Sequence, residues 1–248
     1  NRMLCPTAVP STYAVKKKQK DIEVEINKHV DWEATEDTFL VFPKRLLAWL
    51  IKHRGLQGHD VLHLLLEGDG RGTGRSFKSI IFQARLLNEG RTMFREDRQY
   101  LLAMMKGDED YDLLKRCLKT MLKALEKLQE TGLEVDGKHY DVQLHSTGDA
   151  KWQKILHGMV NFNLNDHNCL FCFCHAEDRD QLDVMWETET DRFSGPLGEW
   201  GRQKKDLLPF VPMERRYLEN MHLVFRFLHD KLIGHMFTDV INTESDKP

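Results

Sequence analysis

No stretch of the chain is apolar over the roughly 20 consecutive positions that a membrane-spanning helix needs, so the sequence offers no membrane partner. The first residues, Asn1-Arg2-Met3-Leu4-Cys5-Pro6, do not lead into the apolar core of a signal peptide. The chain starts without methionine and reads as a piece of a longer protein. Cysteine is scarce. Cys5, Cys117, Cys169, Cys172 and Cys174 make no disulfide framework for a chain this long, and three of them crowd together, which suggests metal in a reducing compartment. Positive charge is not in excess: 36 Lys and Arg against 39 Asp and Glu leave a net charge of -3, so any nucleic-acid contact must come from local basic clusters. Gly68, Gly70, Gly72 and Gly74 alternate without the spacing of a dinucleotide fingerprint, and no Gly-Lys-Ser/Thr follows them, which excludes a nucleotide P-loop. Internal repeats and low-complexity segments are absent.

What remains is the profile of a soluble globular protein of 248 residues, one large domain or two small ones. Residues 1–20 read as a solvated arm ending in Lys16-Lys17-Lys18-Gln19-Lys20. Residues 33–55 read as helical, with Leu46, Leu47, Trp49, Leu50 and Ile51 clustered and Pro43 suited to a first turn. Three strands are expected over 60–106: the run up to Asp69, then Ser79 to Leu87, then Tyr100 to Met105, the last of which also fits helical periodicity. A long helix opens at Asp108-Glu109-Asp110, repeats apolar residues at three- and four-residue spacing to Leu128, and stops at Gly132. Asp136-Gly137 signals a hairpin between Leu133–Val135 and Tyr140–His145, and a helix from Ala150 to Leu156 ends at Gly158. Antiparallel strands followed by alternating helix and strand predict an α/β domain with a mixed sheet. The organisation is an arm and helical segment over 1–58, a core over 59–160, and a cysteine-containing insert with a helical segment over 161–248.

The chemistry centres on two acids. Asp69 and Asp149 each follow an apolar strand, and each has a glycine directly before it. On neighbouring strands their carboxylates converge, and two close carboxylates repel unless a proton or a divalent cation intervenes. Mg²⁺ suits such oxygens and keeps waters for a substrate phosphate, and a two-metal site aligns the attacking oxygen with a phosphodiester. Turn or surface aspartates are the plain alternative. Arg71, Arg75, Lys78 and Lys151 lie near these acids in sequence and could contact a nucleic-acid backbone.

Cys169-Leu170-Phe171-Cys172 has the spacing of half a zinc knuckle, with Cys174, His175 and His167 as nearby further ligands and His222, His229 and His235 as distant ones. A redox pair or a buried structural pair would have the same spacing. His222 and His229 fall on an apolar helical stretch, Met221 to Ile233, and packing explains them equally well.

Asp69-Gly70 after a strand, then Gly148-Asp149-Ala150-Lys151, then the CxxC some twenty residues on, resemble the catalytic core of the V(D)J recombinase subunit and the Transib transposases. The likeness covers roughly residues 60–235 and includes Pro209-Phe210-Val211-Pro212 and Glu219-Asn220-Met221-His222. It implies a ribonuclease-H-like mixed sheet with flanking helices and a zinc-containing insert. It implies that Asp69 and Asp149 are the first two acids of a DDE triad holding Mg²⁺ or Mn²⁺, that Glu109 assists, and that Cys169 and Cys172 give half of a Zn²⁺ site. The implied activity is metal-dependent DNA strand cleavage and transfer in the nucleus, by a full-length protein that is a homodimer. Nothing before Pro248 matches the family's last catalytic glutamate. The expectation is therefore that this chain alone does not nick DNA. The alternatives are an inactive relative that binds nucleic acid or protein, or a zinc-stabilised interaction domain.

Overall fold

The computed structural model describes residues 30–73, 77–159, 175–178, 181, 197–199 and 201–219. Its strands are β1 (Asp31–Ala34), β2 (Thr38–Phe42), β3 (Val61–Thr73), β4 (Phe77–Leu86), β5 (Tyr100–Lys106), β6 (Leu133–Val135), β7 (Lys138–Gly148) and β8 (Arg216–Leu218). The helices are α1 (Pro43–His53), α2 (Tyr111–Cys117), α3 (Lys119–Thr131) and α4 (Ala150–Leu156). The strands form one mixed sheet in the order β1-β2-β5-β4-β3-β7-β6, with β8 beside β7. β3, β4 and β5 are an antiparallel meander; β7 runs parallel to β3, and β8 parallel to β7. The expectation of an α/β domain with a mixed sheet therefore holds.

Alternation along β3 sorts the two faces. Leu62, Leu64 and Leu66 are buried beside Leu86 and Ala84 of β4 and Val142 and Leu144 of β7, and this face carries the helices. α1 adds Leu47, Leu50 and Ile51 to the core, α3 adds Met121, Leu122, Leu125 and Leu128, and α4 adds Trp152 and Leu156. Segments on both sides of the 59–160 core join it: β2 pairs with β5, and Leu207, Leu208 and Val211 lie in the same apolar cluster. β6 and β8 share one edge of β7 and leave a gap between them. Gln129 of α3 fills it, accepting from Leu144 N at 3.0 Å while its amide donates to Phe210 O. No described helix is long and apolar enough to cross a membrane.

Three elements differ from expectation. Residues 31–42 form two strands, and only Pro43–His53 is helical; proline at the first helical position sets the boundary, having no N–H to lose there. β3 does not stop at Asp69 but continues through the glycines to Thr73, because β4 supplies a partner for each residue, Asp69 opposite Ile81 and Thr73 opposite Phe77. The single long helix is two: Leu118 ends α2 and begins α3, while Asp110 caps α2 by accepting from Asp112 N and Leu113 N.

Candidate functional site

Parallel pairing of β3 with β7 aligns Leu65 with His145, Leu66 with Ser146 and Glu67 with Thr147. Two residues further along each chain stand Asp69 and Asp149. Asp69 is thus carried on β3 and Asp149 stands directly after the end of β7, at matching positions along two adjacent parallel strands. Asp69 is exposed and Asp149 half-buried. Asp149 is also the N-cap of α4, where its Oδ1 accepts from Trp152 N at 2.7 Å. That satisfies one of the orphan N–H groups of the helix start and leaves the carboxylate a second oxygen for a cation.

The glycines before the acids have a steric reason. A Cβ on Gly68 would run into the six-membered ring of the Trp152 indole, and a Cβ on Gly148 into its pyrrole edge. Trp152 is fully buried, 6.1 Å centroid to centroid from Phe82, and its Nε1 has no hydrogen-bond partner among the described residues. Sequence reading saw both glycines but not this tryptophan, because the contact joins residues far apart in the chain.

Glu109 also arrives at the site, though in an occupied state. Its Oε1 accepts from Gly70 N at 2.6 Å, and its Oε2 pairs with the Lys151 ammonium. Lys78 pairs with Asp108. Two of the four basic residues considered for a phosphate backbone therefore already have carboxylate partners. Gly70, Gly107, Lys78, Glu109 and Lys151 line a cavity of about 190 Å³ to which neither Asp69 nor Asp149 contributes. Arg71 lies on β3, and Arg75 is outside the described residues, as are Cys169, Cys172, Cys174, His167, His222, His229 and His235. His175 is described; its Nδ1 accepts from Glu177 N at 3.3 Å. Among the described residues, no group of three or more His, Cys, Asp and Glu side chains is gathered that could hold a metal ion.

Two polar clusters went unread in the sequence. On the sheet face opposite the apolar core, Glu67 pairs with Arg85 at 2.8 Å, and His63 Nδ1 lies 3.1 Å from His145 Nε2, whose Nδ1 lies 3.3 Å from the Tyr217 hydroxyl. Burial, with the charges of His63 and Arg215 adding to it, pushes His145 down to about 4, so the ring is neutral at pH 7. On the core side, Asp206 is buried between His157 Nδ1 at 2.9 Å and Arg216 Nη1 at 2.7 Å, and Arg216 donates further to the Leu208 and Val211 carbonyls. This second cluster fastens β8 to α4. No protein-family model matches the sequence, and neither does any curated protein.

Proposed function

We propose that Asp69 and Asp149 are the acid pair of a ribonuclease-H-like catalytic core, of the DDE transposase or recombinase kind, that cleaves and joins DNA strands with a divalent cation. The observation that carries this reading is the register: Glu67 opposite Thr147 leads to Asp69 on β3 and to Asp149 directly after the neighbouring parallel strand β7. The sheet supports it, since an antiparallel unit of three strands is extended by two strands parallel to its first member.

The donors suit Mg²⁺ or Mn²⁺, which prefer carboxylate oxygens and keep several waters. Asp69 and Asp149 would hold the ion, which when bound would activate an attacking water or hydroxyl and neutralise charge building on the phosphate. The protein's own part is positional. β3 and β7 are central strands, so Asp69 on β3 and Asp149 at the junction of β7 and α4 are both held by rigid elements. Glu109 ties the backbone just beyond Asp69 to Lys151, in the first turn of the helix that Asp149 caps.

That same engagement of Glu109 favours a second reading, a domain that keeps the acid pair and binds nucleic acid without cutting it. Calorimetric titration with Mn²⁺, beside a nicking assay, separates the two. The first reading expects Mn²⁺ binding that both Asp69→Ala and Asp149→Ala remove; binding that survives both substitutions sinks it. Cleavage that depends on both acids would exclude the second reading.

A further inference from the structure

Trp152 meets the chain directly beside both acids. Its backbone N–H donates to the Asp149 carboxylate, the pyrrole edge of its indole lies over Gly148, and the six-membered ring lies over Gly68. Each of those glycines is one peptide bond away from an acid. We propose that Trp152 is the positioning residue of the carboxylate pair: its indole spans β3 and β7 beneath Gly68 and Gly148 and fixes how far apart Asp69 and Asp149 are held, and so how tightly the pair takes a divalent cation. This rests on the carboxylate-pair reading above.

Two observations point to this role rather than to ordinary core filling. The first is size. The two rings of the indole are divided between the two glycines, one ring to each strand. A single six-membered ring cannot underlie both strands at once, so a phenylalanine would leave one glycine without support. The second is the indole N–H, which is fully buried and has no acceptor among the described residues. A buried orphan donor destabilises a fold. A core selected only for stability would favour an apolar ring here, and local rules are broken most often where function sets the geometry. A methyl group on Gly68 should act as removal of the ring does, because it displaces the indole from the other side.

The test is the Mn²⁺ affinity of the 248-residue chain, measured by calorimetry together with thermal unfolding. Supporting groups behind metal ligands typically contribute 10–100-fold in affinity. Trp152→Phe is expected to weaken Mn²⁺ binding by about tenfold and Trp152→Ala by more, on that scale. Gly68→Ala should weaken it in the same way. Leu156→Ala, equally buried on α4 but not among the atoms nearest either glycine, should lower the melting temperature and leave the affinity within about twofold of wild type, well below that range. If Trp152→Ala does not fold, Trp152→Phe carries the test, since it keeps one ring and discards the orphan donor. Wild-type affinity in folded Trp152→Phe and Gly68→Ala, with binding lost in Asp69→Ala and Asp149→Ala, would overturn the positioning role and leave the acid pair standing. Failure of the wild-type chain to bind Mn²⁺ would overturn both.

Discussion

Single residues at this site carry more than one duty, and Glu109 is the sharpest case. As a third acid it is expected to assist the pair; in the fold it accepts from Gly70 N and faces the Lys151 ammonium. Glu109→Gln separates the two roles, because the amide oxygen still accepts from the backbone while the charge is lost. The Lys151 side chain is about half exposed, so the pair contributes less than about 1 kcal/mol and the melting temperature should hardly move. Mn²⁺ affinity should stay within about twofold of wild type if Glu109 acts only on the backbone, small beside the 10–100-fold typical of losing a metal's supporting groups. A loss as large as that of Asp69→Ala would instead make it a ligand. Asp149 has the same double character, a helix cap by one oxygen and a candidate ligand by the other. Its replacement by alanine therefore removes both functions, and the cap alone is worth about 1 kcal/mol.

Among the elements, those specified by neighbours in sequence were legible and those specified by distant partners were not. The hairpin between β6 and β7 could be read because Asp136 and Gly137 both take positive φ, 51° and 79°, which that residue pair tolerates better than most. α3 was legible from its apolar spacing and from Gly132, and the end of α4 from Gly158. β1 and β2 were missed because the Leu46–Ile51 cluster dominates its surroundings, while Thr-Phe-Leu-Val-Phe shows no alternation; β2 is a strand because β5 is there to pair with it. The glycines after Asp69 read as a turn for the same reason, since β4 alone makes them strand. The matching positions of Asp69 and Asp149 were legible through the repeated Gly-Asp, but Trp152, which explains the glycines, lies on a helix 84 residues after Gly68. Gly137→Ala tests the local case. An added Cβ there meets nothing within 4 Å, so the cost is purely that of a left-handed backbone, roughly 1–2 kcal/mol by urea denaturation. Gly132→Ala should lose more, because its Cβ would also collide with the Tyr140 carbonyl. Equal losses would mean that the hairpin relaxes around either methyl.

For the molecule as a whole, buried imidazoles should set how stability responds to mild acid. Burial pushes His145 down to about 4, and it pushes His157 down as well, with Arg216 adding to the effect and Asp206 opposing it. In the unfolded chain both rings protonate near 6.5. Between that value and about 4 the unfolded state binds protons that the native state refuses, so the unfolded state is favoured as pH falls. The stability linked to these rings is complete above 6.5 and drains away through this window. The share of His145 is at most about 3 kcal/mol, because each tenfold loss of proton affinity on folding is worth about 1.4 kcal/mol. Asp206 does not confuse the window. Burial alone would raise it, but His157, Arg216 and the Leu208 N–H outweigh that and hold it below 3.8, so its protonation belongs to stronger acid. Urea unfolding at pH 7.5 and pH 5 should therefore show a clearly lower free energy at pH 5, and His145→Gln should flatten the dependence. Because His145 on β7 meets His63 on β3 and Tyr217 on β8, acid should loosen the three strands that carry and flank Asp69 and Asp149. Mn²⁺ affinity should then begin to weaken as the pH falls below about 6.5, before ordinary carboxylates titrate. Affinity unchanged down to pH 5 while stability drops would show that the acid pair is held independently of the histidine contacts.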